Sequence, residues 1–221
     1  MENKMLNVLG CYPCLLNILF ELAEESHGIK KFQVLKNVPV ESLDHLTMLK
    51  GWEVDFFNCY ESEMEFDPNE LYAFSIVATN TKKKVFDYFK KRIKMDNKQF
   101  INFIHPTSYV SKSVKLNYGL QVEPLTVIAA CTSIGFAVNI KRGCSIGHHC
   151  EIGDYVTIAP GVTLSGFVKI KSNTMIGSGV TIKGDITIGS NTVIGAGSVV
   201  VKDIPDNCIA FGNPCVVHKY I

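Results

Sequence analysis

The chain is poor in the features that announce most function classes. Its 22 Lys and Arg residues face 21 Asp and Glu, leaving a net charge of +1 over 221 residues. No excess of one sign therefore points to nucleic acid or to a membrane surface. No long hydrophobic run is present either. The apolar stretch near the start is broken by Asn7, Pro13 and Asn17 and soon reaches Glu21, which fits neither a signal peptide nor a membrane-spanning helix. The eight cysteines (Cys11, Cys14, Cys59, Cys131, Cys144, Cys150, Cys208 and Cys215) lack the spacing of a zinc module and read as reduced core residues of a cytoplasmic protein. What is plentiful is apolar residues, at 47%, enough for one large domain or two modest ones.

Those apolar residues are ordered. Every sixth residue from Val110 to Val200 is aliphatic, through Leu116, Val122, Ile128, Ile134, Ile140, Ile146, Ile152, Ile158, Leu164, Ile170, Ile176, Ile182, Ile188 and Ile194, and the register never slips. Two residues before each aliphatic position the chain is mostly small or β-branched, as at Val114, Thr126, Thr132, Val138, Cys144, Cys150, Val156 and Thr174. A period of six suits neither a helix nor a half-buried strand and marks a solenoid. Side chains alternate along a strand, so the aliphatic residue and its small partner share one face, and the remaining residues turn the chain. Three such sides close a triangular coil with stacked apolar columns inside. The reading is a parallel β-helix of roughly five coils, about 24 Å long at the ~4.8 Å spacing of neighbouring strands. Gly135, Gly147, Gly153, Gly177, Gly189 and Gly195 each follow an aliphatic position and are expected to supply unusual backbone angles at the corners.

Residues before about 100 obey a different rule. Met5 to Gly10 reads as a buried strand and Leu15 to Glu25 as a helix with Leu15, Ile18, Leu19 and Leu22 on one face. Phe32 to Leu35, Trp52 to Phe57 and Leu71 to Thr79 are further strand candidates, and a helix follows from Lys82 to about Lys94. That order suggests a small parallel sheet in βαβ style. The organisation is then an α/β domain over 1–104 and an all-β helix domain with a tail over 105–221.

The coils and tail resemble a known family. Ile194 to Pro205, closing on Gly212-Asn213-Pro214, is similar to the C-terminal signature of hexapeptide-repeat acyltransferases that use acetyl-CoA. Cys144 to Gly161 resembles more narrowly the bacterial sugar acetyltransferases, a group that includes sialic-acid O-acetyltransferases and UDP-4-amino-sugar or GDP-perosamine N-acetyltransferases. The resemblance implies a left-handed β-helix, a preceding nucleotide-sugar-binding domain joined through an Ile-His-Pro like Ile104-His105-Pro106, and a homotrimer. It also implies acetyl-CoA as co-substrate, no metal, and a sugar or nucleotide-sugar acceptor in surface-polysaccharide synthesis.

Attack of an amine or hydroxyl on a thioester needs a base, an oxyanion donor and positioning. His148 projects from the coil and can serve as the base, while a merely solvated histidine is the other reading of the same position. It aligns with the family's catalytic histidine, and Gly166 with the glycine whose N–H holds the acetyl carbonyl. The resemblance places Ser178 and Ala196 along the pantetheine arm, the Gly212-Asn213-Pro214 tail near the coenzyme, and Thr157 where the family has a second histidine contacting the acetyl group.

The chain departs from the family pattern at several points. His149 follows His148 where an acidic residue is usual, and an imidazole is not expected to hold His148 as a carboxylate does; Glu151 and Asp154 are candidate substitutes. Lys141 and Arg142 replace a polar pair and either grip phosphates of the acceptor or decorate a solvated corner. The family's glycine-rich nucleotide loop is reduced to Gly10-Cys11-Tyr12-Pro13-Cys14, in which Pro13 lacks an N–H and Tyr12 is bulky. Two competing readings follow. A non-catalytic β-helix scaffold accounts for the altered loop. A γ-carbonic-anhydrase-like metal enzyme needs three separated histidines, whereas only His148 and His149 lie in the coils, adjacent and expected to diverge.

Overall fold

The computed structural model describes residues 4–38, 46–47, 50–59 and 69–221. From Phe103 onward, two-residue strands repeat every six residues and pair in parallel with the strand one coil ahead, as Ile140 with Ile158 and Ile146 with Leu164. Three strands make one coil, so the chain returns to the same face after eighteen residues, from Asn139–Ile140 to Thr157–Ile158. The fold is a hexapeptide-repeat β-helix with three parallel sheets as its faces. Ile104, Val122, Ile140, Ile158, Ile176, Ile194 and Ala210 form the column of the first face, which the N-terminal domain covers. Val110 to Val200 line the second, open face, and Leu116 to Ile188 the third, which is charged outside, where Lys169 pairs with Glu151 at 3.0 Å. A last strand, Cys208–Gly212, turns at the cis Asn213–Pro214 bond and runs back as Cys215–Tyr220.

The small residues beside the columns do more than fit a narrow interior. Thr126 donates to the Lys141 carbonyl at 3.0 Å, Thr132 to Gly147 at 2.9 Å and Thr174 to Gly189 at 2.6 Å, each reaching the next coil. Cys144 and Cys150 make the same kind of contact to the Ala159 and Ser165 carbonyls. Each thus satisfies a buried acceptor that an aliphatic side chain would leave unpaired. Burial pushes both thiols above the ordinary cysteine value, so they are inert core groups. Cys14 and Cys131, by contrast, are exposed and Cys11 is half-buried, so three of the eight cysteines fall outside the core expected for them.

The corner glycines correct the expectation for their backbone. Residues in the left-handed region recur every six positions from Gly119 to Gly197, but they stand three after the aliphatic residue, and nine of them are not glycine: Leu125, Cys131, Ala137, His149, Tyr155, Phe167, Asn173, Asp185 and Asn191. The glycines directly after the aliphatic residue have ordinary angles and are required by close approach. At Gly147 a Cβ would stand 2.5 Å from the Ser165 backbone.

The N-terminal domain is a parallel sheet of β1 (Met5–Leu9), β2 (Lys31–Lys36), β3 (Glu53–Asn58) and β4 (Leu71–Phe74), in the order β3-β2-β1-β4. Helix α1 (Pro13–His27) packs on one face and α2 (Thr79–Ile93) on the other. The buried side of α1 carries Leu16, Leu19, Phe20, Leu22 and Ala23, with Leu15 and Ile18 at its half-buried margin, a rotation from the expected face. The strand expected to reach Thr79 stops at Phe74. Ser75 to Ala78 cross to α2, and Thr79 is already its first residue.

Polar bonds fix this domain to the covered face. Gln121 donates to the Phe74 carbonyl at 2.8 Å and Thr157 to the Val77 carbonyl at 2.7 Å. The Lys82 Nζ, fully buried, donates to the Ala137 carbonyl at 2.7 Å and to the Asn139 side-chain oxygen. Neither partner is a carboxylate, and burial, with Lys141 nearby, drives the Lys82 pKa well below the ordinary lysine value. Around these bonds Phe74, Phe86, Phe100 and Phe136 pack ring to ring, with Phe74 and Phe100 stacked at 4.6 Å.

Candidate functional site

The corner between the open and charged faces is where the chemistry gathers. Ile146 faces inward, Gly147 passes under the Ser165 backbone, and the chain then turns through His148 and the left-handed His149. One coil on, the same two positions are Gly166 and Phe167, with the Phe167 N–H donating to the His148 carbonyl at 2.9 Å. The His148 ring lies against Gly166. A Cβ on Gly166 would meet His148 Cε1 at 2.7 Å and Nε2 at 2.9 Å, so the ring occupies the space that any side chain there would need. Gly166 is therefore more than a corner residue, and the two residues singled out from sequence do converge within one chain. The Gly166 N–H has no protein acceptor among the described residues. That is general for its place in the repeat, since Pro106, Pro124 and Pro160 occupy the equivalent position at other corners.

The two histidines do not diverge as expected. Their Nδ1 atoms face each other at 3.1 Å, so one nitrogen donates and the other accepts. His149 in turn lies flat on Phe167, with ring centroids 4.9 Å apart and planes 20° from parallel, while Phe167 meets His148 edge-on. The second imidazole thus stands where it can hold the first. With His149 protonated on Nε2, its Nδ1 accepts the His148 Nδ1–H and leaves the His148 Nε2 lone pair free beside Gly166. Neither acidic candidate takes that part: Asp154 accepts from the Phe136 N–H at 2.7 Å, and Glu151 pairs with Lys169. Phe167 was not foreseen. The available signal was a bulky aromatic in a repeat position that favours Gly, Asn or Asp.

Ser178, Ala196 and the tail form a second group on another corner, between the covered and open faces. The Gly212 N–H donates to Ser198 Oγ at 3.1 Å, and a Cβ on Gly195 would meet Phe211 at 2.7 Å, so the tail closes over the end of this column. The open face lies between the two groups. Thr157 belongs to neither, being buried on the covered face with its hydroxyl spent on Val77.

The two cations at 141 and 142 are answered by a residue that sequence reading missed. Glu123, almost fully buried, accepts from the Lys141 ammonium at 2.7 Å and from the Arg142 backbone N–H at 3.1 Å, with the Arg142 guanidinium at 3.6 Å. Lys141 is not free to grip a phosphate. Arg142 stays exposed and borders a cleft of about 520 Å³ against α1, where Glu21, Glu24 and Glu25 set a negative potential. Gly10 stands at the end of β1, where the strand order reverses between β1 and β4, the place at which open α/β sheets form ligand crevices. Its left-handed backbone and close contact with the Ile76 side chain favour glycine, but its N–H is spent on the Leu35 carbonyl at 3.1 Å. Among the described residues no three His, Cys, Asp or Glu side chains converge as a metal site.

Comparison with known proteins adds to this geometry. Residues 131–166 and 167–202 match the family of bacterial transferase hexapeptide repeats. Among curated proteins no sequence matches the chain. Among solved structures, PerB from Caulobacter crescentus, in complex with CoA and GDP-perosamine, is 22% identical with a TM-score of 0.78, covering 99% of each chain. The acetyltransferase domain of PglB from Neisseria gonorrhoeae, in complex with acetyl coenzyme A, is 24% identical with a TM-score of 0.81, covering 98% of this chain and 100% of that one. WeeI from Acinetobacter baumannii is 21% identical with a TM-score of 0.80, covering 97% and 100%. Similarity at these identities establishes the fold.

Proposed function

We propose that this protein transfers an acetyl group from acetyl-CoA to an amine or hydroxyl of a sugar that reaches the corner of the open face beside His148. The observation that carries the reading is the His148 ring seated on Gly166 with Nε2 on the glycine side and Nδ1 held by His149.

The steps balance on these groups. His148 Nε2 takes the proton of the acceptor N–H or O–H as the nitrogen or oxygen bonds to the thioester carbon. The Gly166 N–H is the donor positioned for the resulting oxyanion. Collapse breaks the C–S bond, and the proton on His148 Nε2 passes to the departing thiolate, giving CoA and the acetylated sugar. The His148 Nδ1–H to His149 bond persists throughout and supports the transient imidazolium. Ser178, Ala196 and the Gly212-Asn213-Pro214 tail are the coenzyme-holding group. Because they sit across the open face from His148, a complete site is assembled from two copies in a homotrimer. The structural neighbours crystallised with CoA, acetyl-CoA and GDP-perosamine support both the co-substrate and a nucleotide-linked acceptor.

The test is release of CoA thiol from acetyl-CoA by the wild-type protein, across amino-sugar and hydroxyl-sugar nucleotides. Acceptor-dependent turnover with at least one compound is expected. Absence of turnover across the panel would favour the scaffold reading, to which the committed N–H of Gly10 already lends weight.

A further inference from the structure

The facing Nδ1 atoms of His148 and His149 have a second use. Two imidazole nitrogens bound to one ion at about 2.1 Å, at angles between a right angle and a tetrahedral one, stand roughly 3.0–3.4 Å apart. The observed separation is 3.1 Å. Both side chains are exposed, so an ion reaches them from solvent. The rings are nearly perpendicular, at 88°, and His149 is steadied by its stack on Phe167; binding breaks the Nδ1···Nδ1 hydrogen bond and turns the two lone pairs off the line between them onto one ion. We propose that His148 and His149 form a two-nitrogen chelate for a borderline divalent cation of the Zn²⁺ and Ni²⁺ class, for which imidazole is a suitable ligand. This site exists only because an imidazole occupies position 149.

Occupation changes where the protons are. In the free pair one Nδ1 carries the shared proton. In the chelate both Nδ1 lone pairs are given to the ion and both rings carry their proton on Nε2, so no proton is lost overall. His148 Nε2 is then a donor and can no longer accept a proton. Resting on the acyl-transfer reading, this makes the cation a reversible inhibitor. With two protein ligands and the remaining positions open to water, binding is labile, in keeping with removal by a chelator.

The experiment is calorimetric titration of the untagged full-length protein with Ni²⁺ alone. The tightest ion is expected to bind once per chain, with affinity falling about 10-fold or more in His148→Gln and in His149→Gln. Cys131→Ser, which removes the exposed thiol at the same corner one coil earlier, is expected to leave it unchanged. No Ni²⁺ binding by the wild type, binding that survives both histidine substitutions, or binding lost in Cys131→Ser would overturn the proposal. This arm needs no turnover, so it stands or falls apart from the catalytic reading. Where turnover is measured, Ni²⁺ is expected to abolish it and EDTA to restore it; turnover that persists with the chelate filled would overturn the inhibitory role.

Discussion

The β-helix and the domain before it solve the same problem, burying an apolar interior, by opposite means. In the coils each residue's surroundings repeat every eighteen residues: Ile158 lies between Ile140 and Ile176, and what is true of one corner holds for the next. In the N-terminal domain nothing repeats, and its seat on the coils depends on single polar groups such as Gln121, Thr157 and Lys82. Repetition makes a departure visible and local. His149 and Phe167 occupy corner positions set by the repeat, so they change chemistry while leaving the scaffold intact. Where structure is unique, a single buried amine influences how two domains fit.

The contrast can be broken or sharpened by substitution. The largest effect is expected in the columns. Ile158→Ala removes a fully buried side chain flanked by coils that cannot close over the gap, at a cost of about 2–5 kcal/mol in denaturant unfolding. A smaller loss would mean that the coils relax more freely than a stacked column allows. Gly166→Ala should separate site from scaffold. The new methyl meets the movable tip of His148, not backbone, so thermal stability should hold while turnover falls about 10²-fold, as expected for a displaced catalytic group. Gly147→Ala, whose methyl would strike the Ser165 backbone, should instead lower the melting temperature at a cost of about 1–3 kcal/mol.

Lys82 tests the junction through pH. Its folded-state pKa lies below the unfolded value, so between the two the unfolded chain binds a proton that the folded chain does not. Stability should therefore rise as pH increases toward the unfolded lysine value. Melting temperatures across pH 7 to 10 should climb by a few degrees more in the wild type than in Lys82→Met; parallel curves would show that the amine stays charged when folded. The smallest effect is expected from His149→Asp. A carboxylate can accept the His148 Nδ1–H as His149 does, so kcat should change only a few-fold, whereas His149→Ala should lose about 10-fold. Equal losses would mean that His149 does not orient the base.

The columns were legible in sequence because one geometric rule, repeated sixteen times from Val110 to Val200, overrides local propensity. The stacking of Gly166 on His148 was legible in their eighteen-residue separation, one full coil, but what joined them as a site was family resemblance, since neither is a column residue. The reason for the corner glycines was not legible. A glycine needed for close approach and one needed for a left-handed backbone look alike in one dimension, and the residues that do adopt the left-handed angle include Leu125, Tyr155 and Phe167. Glu123 and Lys82 were invisible for a related reason: a charge is read as exposed until its partner or its burial is seen. The end of β4 at Phe74 was blurred by the apolar Ile76-Val77-Ala78, which serve the crossing to α2 and the contact with the coils.

The central claim is that His148, seated on Gly166, is the base of an acetyl transfer. Its most direct test is the rate of CoA thiol release with the best acceptor, wild type beside His148→Ala, with the fold of both checked by circular dichroism. The account predicts a fall in kcat of about 10²–10⁴-fold with unchanged stability. An unimpaired His148→Ala protein would contradict it.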